Sequence, residues 1–156
     1  MKKLLTVTEH AKGVDAALLI ARITIAVLML THGLPKLGML LSGEPVQFPA
    51  LFGLSAGMSL TLAVFAEVIC SLLILVGFAT RLAVIPLGIT MLVALFAIHG
   101  ADPFAKQEPA LQYLLVYVVL FLAGSGKYSV DYLLQKRSLN NGNGTTVPNP
   151  VLSLQK

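Results

Sequence analysis

The chain has 156 residues, of which 56% are hydrophobic and 12% charged, with a mean hydropathy of +0.85. A soluble domain carries about 25% charged residues, so this is an integral membrane protein with room for one small helical domain and none for a separate soluble catalytic module. The net charge of +4 is no nucleic-acid signal, because the positive residues gather at the ends of apolar segments and no basic stripe interleaves with aromatics.

Four apolar segments follow one another. The first, 16–33, comes after Lys2 and Lys3. It is longer than a signal-peptide core of roughly 7–15 residues and no small-residue cleavage site follows, so it is expected to be retained. Gly33, Pro35 and Gly38 are expected to end it. The stretch 37–55 is rich in Phe48, Leu51, Phe52 and Leu54 as well as Gly43, Pro45 and Pro49. It is too apolar for a free loop and is expected to form a short interfacial or re-entrant segment over the mouth of the helices. The second segment, 56–78, contains Glu67 as its only charge and is expected to end near Gly77. The third, 82–99, bends at Pro86 and stops at Gly100 and Pro103. The fourth, 109–123, is the shortest and closes on Gly124-Ser125-Gly126. From about Ser138 the tail is rich in Asn, Gly, Thr and Pro and reads as disordered.

The expected fold is therefore all-α, an antiparallel four-helix transmembrane bundle over 16–133. A cytoplasmic N-terminal segment (1–15) precedes it and a disordered cytoplasmic tail (134–156) follows. Lys2, Lys3, Lys12, Arg22, Arg81, Lys127, Lys136, Arg137 and Lys156 fall on one side, against Lys36 and Lys106 on the other. That excess puts both termini in the cytoplasm.

Glu67 lies near the middle of its span, where a carboxylate costs at least about 2.5 kcal/mol on insertion scales. A residue kept there needs a partner, a proton or a task. Arg22, roughly 9 Å in from the inner start of the first helix on the helical rise, is within feasible reach of Glu67 across antiparallel neighbours. His32 and His99 fall at outer helix ends, with Lys36 one turn beyond His32, and Arg81 marks the inner end. Together they form a polar column: Arg22 and Arg81 inside, Glu67 central, His32, Lys36 and His99 outside. A proton path needs such a column, and so does the polar end of a quinone pocket, because a quinone takes up protons as it takes up electrons.

Plainer roles compete for each residue. Glu67 with Arg22 could be a buried pair that fixes register, the histidines could be wet interfacial groups, and Arg81 a topology anchor. A haem or metal on two histidines from different helices is a weak signal; no metal site is expected. Cys70, the one cysteine, excludes an internal disulfide and reads as a small packing residue. Ala63, Glu67, Cys70 and Ser71 share one face that would let a neighbour approach closely. Tyr113, Tyr117 and Phe121 form an aromatic stripe that reads as packing before it reads as a ring platform.

The order of these residues resembles the DoxX family of small four-helix bacterial inner-membrane proteins. It is carried by Arg22, His32-Gly33 with Lys36, Glu67, Gly77 with Thr80-Arg81, His99, and Gly124-Ser125-Gly126-Lys127-Tyr128-Ser129-Val130-Asp131. One departure is Cys70-Ser71, where the family often has two glycines. The resemblance implies a multi-pass protein of the bacterial inner membrane and a link to quinone chemistry. Relatives form the membrane part of thiosulfate–quinone oxidoreductases, and others are tied to quinone and oxidative-stress tolerance.

The reading is a quinone- or quinol-linked oxidoreductase subunit. In it Glu67 carries protons, Arg22 tunes its charge, and His32, Lys36 and His99 line the outer mouth, with Arg81 at the inner end. No Gly-rich phosphate loop in a strand–turn–helix context suggests a flavin or nicotinamide site. Electrons would come from a quinol or a redox partner protein, and a homo-oligomer is compatible with so small a bundle. Two other classes use the same residues: a small proton or solute transporter, and a non-catalytic membrane scaffold for a soluble redox enzyme.

Overall fold

The computed structural model describes residues 11–142, whose regular elements are all helices, with no strand among them. There are five helices: α1 (Ala11–Leu41), α2 (Ala56–Val76), α3 (Thr80–Ile98), α4 (Phe104–Ala123) and α5 (Val130–Gly142). The first three are long and apolar enough to cross a membrane. The fourth, with Lys106, Gln107 and Glu108 in its opening turns, begins polar and turns apolar from Pro109. Helix α1 packs on α2, α2 on α3 and α3 on α4, and α4 closes back on α1. A core of Leu18, Ile25, Met29, Ile74, Leu87 and Leu120 lies between them.

Helix α1 differs most from the sequence expectation. It starts at Ala11 and runs unbroken for 31 residues through Gly33, Pro35 and Gly38. A proline inside a helix removes one hydrogen bond and costs about 3 kcal/mol in isolation, so packing must hold the last two turns. Leu37 and Leu40 press on the buried cluster Leu60, Val64 and Val68 of α2, and Lys36 reaches Glu67. The breakers were real; tertiary contacts overrode them.

The glycines set the register of α1 on α2. A Cβ on Gly33 would touch Val68 Cγ2 at 2.9 Å and the Glu67 backbone carbon at 3.0 Å. A Cβ on Gly77 would run into the Arg22 guanidinium. Eleven residues along α1 and ten along α2 separate these two contacts, each a rise of roughly 15–17 Å. The two helices are thus antiparallel and in register, and Arg22 and Glu67 stand at opposite ends of the contact.

Helix α2 starts on Ser55, whose hydroxyl accepts from the Met58 amide at 3.2 Å. Its middle widens into a π-helical turn, Phe65–Cys70, that carries Glu67. Such turns insert an extra residue and recur at functional sites. Gly77, at φ 72°, ends the helix in the left-handed conformation, as the sequence suggests. Helix α3 contains Pro86, whose carbonyl accepts from the Thr90 hydroxyl at 2.9 Å, and ends in a second π-turn, Ala94–Ile98.

The connection from Ser42 to Ser55 forms no helix. Glycines at positive φ (Gly43, Gly53) together with Pro45 and Pro49 prevent a continuous hydrogen-bond ladder. The segment lies instead as an extended flap, with Val46 and Phe48 packed on the Leu60–Val64–Val68 cluster. Helix α5 continues to Gly142, further than a tail disordered from about Ser138 would allow. The rest of that tail, and residues 1–10, lie outside the described residues.

Candidate functional site

In the half of the molecule that holds the C-terminal end of α1, here termed the outer half and the opposite one the inner, the helices enclose a cavity of about 630 Å³ under the flap. Pockets of roughly 300–1,000 Å³ with apolar walls and a few convergent polar groups are the usual form of a small-molecule site. This one collects four of the six sequence-predicted site residues: Glu67, His32, Lys36 and His99.

Glu67 is 2% exposed and anchors the polar side. Its Oε1 accepts from Lys36 Nζ at 2.5 Å. Its Oε2 is buried and has no hydrogen-bond partner among the described residues. Lys36 keeps 30% of its side chain exposed and holds its ammonium 5.8 Å from the Phe48 ring centroid, so the flap lies against the ion pair. Gly33 makes the arrangement possible by letting α1 touch the α2 backbone beside Glu67. Gly33→Ala should force the helices apart by a few tenths of an ångström and lower the thermal midpoint, as a core overpacking of about 1–3 kcal/mol would. An unchanged unfolding curve in detergent would contradict this close crossing.

His32 and Tyr113 meet edge to face with ring centroids 6.0 Å apart, joining α1 to α4 at the same level. At the outer rim His99 Nδ1 lies 2.8 Å from Asp102 Oδ2. Gln107 Nε2 donates to the carbonyls of His99 and Asp102 at 2.9 and 3.0 Å. Lys106 Nζ stands 3.6 Å from Asp102 Oδ1. The hydrogen bond from His99, aided by the Lys106 charge, holds the Asp102 carboxyl below its ordinary range. This rim fixes the turn between α3 and α4 and orients His99.

Arg22 is a correction. The pairing with Glu67 does not form, because the antiparallel register sends Arg22 to the inner end. There it is 1% exposed beneath Gly77, donates from Nη2 to the Tyr128 carbonyl at 2.7 Å, and lies within Coulombic reach of Asp131. Asp131 in turn accepts from the Ala79 and Thr80 amides at 2.8 and 3.3 Å, capping α3 across the chain. Ser129 caps α5 by accepting from the Tyr132 amide at 3.2 Å. Asp15 accepts from the Lys127 amide at 3.1 Å. The run from Gly124 to Asp131 is thus an inner clasp around a buried guanidinium.

Arg81 is also far from the cavity. It is exposed at the inner end and donates to the Leu122 carbonyl at 3.1 Å. The expected polar column is therefore two clusters. Ile25, Ile74, Val84 and Leu120, all buried in one core, occupy the stretches of their helices between the clusters.

Sequence reasoning missed three contributors. Tyr113 reads as helix packing because its neighbour Tyr117 is core; only the α1–α4 register brings it beside His32. Lys36 as the partner of Glu67 was hidden by Pro35, which signals a helix end. The Asp102–His99 contact was visible as i, i+3 spacing and could have been found.

The model of the DoxX family matches residues 17–100, which include Arg22, His32, Lys36, Glu67 and His99. No curated protein and no solved structure matches the chain.

Proposed function

The chain belongs to the DoxX family, and from that premise we propose that it is the membrane subunit of an oxidoreductase that holds a quinone or quinol ring in the cavity at Glu67. The observation that carries the reading is a buried carboxylate with one oxygen on Lys36 and the other free to a ligand, at the polar end of an apolar cavity. Oxidation of a quinol to a quinone releases two electrons and two protons. Glu67 Oε2 would accept a hydrogen bond, and then a proton, from a ring hydroxyl, and Lys36 would stabilise the carboxylate until then. His32 and the His99–Asp102 rim offer further acceptors toward the outer face. The electrons pass to a redox partner protein.

In this reading α1 to α4 form an antiparallel four-helix transmembrane bundle in a bacterial inner membrane, with both termini cytoplasmic. Two features support it. The start of α1 meets the α4–α5 connection at one end, where Lys127 Nζ lies 3.3 Å from Asp15 Oδ2, and lysine and arginine are concentrated at that end.

Glu67→Gln keeps the shape of the side chain and removes the proton acceptor. Quinone-linked electron transfer in membranes that contain the variant should fall by about 10²-fold or more, the usual contribution of a general base. Activity equal to that of the original protein would remove Glu67 from the mechanism.

A further inference from the structure

The walls of the cavity say how its ligand arrives. Helices α2 and α3 touch chiefly through the inner part of α2, where Phe65–Cys70 and Ser71–Val76 pack on Thr80–Val93. In their outer halves the cavity lies between them, walled by Leu62 and Phe65 on one side and Ile89 on the other. These three side chains are at least half exposed although they line the cavity. The cavity therefore has an apolar opening on the side of the molecule. Its charged pair, Lys36 on α1 with the buried Glu67 on α2, lies deeper than these exposed side chains, and the flap with Phe48 lies over Lys36. A site with a charged pair at its depth, an apolar side opening and a covered top matches a molecule with a polar ring and a hydrocarbon tail.

We infer that the cavity opens to the bilayer between α2 and α3. Its ligand is an amphiphile dissolved in the membrane, which enters sideways, sets its polar head at Glu67 and Lys36, and leaves its tail between Leu62 and Ile89. The identity of the head group rests on the quinone reading above; the route does not. A headgroup that enters this way loses water before it meets the ion pair, which strengthens the hydrogen bonds it makes there.

The chain contains no tryptophan, so one introduced indole reports one position. Ala63→Trp and Thr90→Trp place it on opposite walls of the cavity, and Leu115→Trp, on a 66% exposed position of α4, serves as the lipid-facing reference. Each variant, checked for a monodisperse peak in detergent, is reconstituted into phosphatidylcholine vesicles with plain or brominated acyl chains. Brominated chains quench indoles they can reach; acrylamide in the buffer quenches those that water can reach. The expected result is bromine quenching of the Ala63→Trp and Thr90→Trp proteins approaching that of Leu115→Trp, with little acrylamide quenching. Two wall positions are used so that a folding defect in one leaves the other to decide. Quenching by acrylamide alone would mean a water-facing mouth, and quenching by neither a closed cavity; both overturn the lateral route. Either failure leaves the Glu67→Gln result standing, and an inert Glu67→Gln with bromine quenching intact would remove the quinone and keep the route.

Discussion

Replacing Lys36 with methionine is expected to be the most damaging single change in the outer half of the protein. Glu67 is almost fully enclosed, and Lys36 is its one charged partner among the described residues. Breaking a buried pair from one side leaves an uncompensated charge and costs about 3–5 kcal/mol. For a chain of this size that is a fall of roughly 6–20 °C in the thermal midpoint. The reverse change should be mild, because in Glu67→Gln the lysine, with 30% of its side chain already exposed, can turn its ammonium to water. The double variant Lys36→Met with Glu67→Gln should recover most of the loss, since a buried pair replaced as a unit is often neutral. Thermal unfolding of the four proteins in one detergent closes the cycle. A double variant whose loss equals the sum of the two single losses would mean that the pair does not exist.

The second large effect is expected at Gly77. Its φ of 72° lies where a side chain is strained, and an added Cβ would fall on Arg22 Nη1. The guanidinium has no room to retreat, because it is held on the Tyr128 carbonyl and is 1% exposed, and Ser129 Cβ also stands in the way of the added Cβ. Gly77→Ala therefore combines a left-handed penalty of about 1–2 kcal/mol with displacement of a buried charge. It should leave little folded protein in the membrane fraction. Gly88 is the matched comparison: it is helical, and the nearest atom to an added Cβ is Leu114 Cδ1 at 3.8 Å. Gly88→Ala should be neutral or slightly stabilising, as helix propensity alone would make it. Similar yields for the two variants would contradict the packing of Arg22 under Gly77.

Much of this architecture is readable from apolar periodicity and punctuation. Gly77 as the end of α2, the break before Pro103 and the closure at Gly124 all follow from local conformational demands that tertiary structure did not oppose. Pro35 misleads because its local cost is outweighed by contacts formed with residues that lie about thirty positions away. The register follows from the same limit. Helical rise alone allows Arg22 to approach Glu67, but only the two glycine crossings fix which residue meets which. Gly33, notable in the sequence as a breaker, acts in the fold as a point of close approach between α1 and α2, and Gly77, besides ending α2, leaves the space that the Arg22 guanidinium fills.

The candidate site is legible in part for the same reason. Glu67 stands out by its cost, and His32, Lys36 and His99 by their place at one end. Arg22 and Arg81 are charged residues in or beside apolar segments, which makes them candidates on sequence grounds. Their bonding partners, the carbonyls of Tyr128 and Leu122, are backbone groups that no sequence pattern advertises.

The central claim is that the Glu67 cavity binds a quinone, and it is tested most directly by what the protein carries. The measurement is solvent extraction and chromatography of the gently purified protein, set beside Glu67→Gln purified in the same way. Near-stoichiometric quinone in the former and its loss in the latter is the predicted result. Well-folded protein that carries no quinone, and takes none up when long-tailed benzoquinone is added to it in detergent, would contradict the claim.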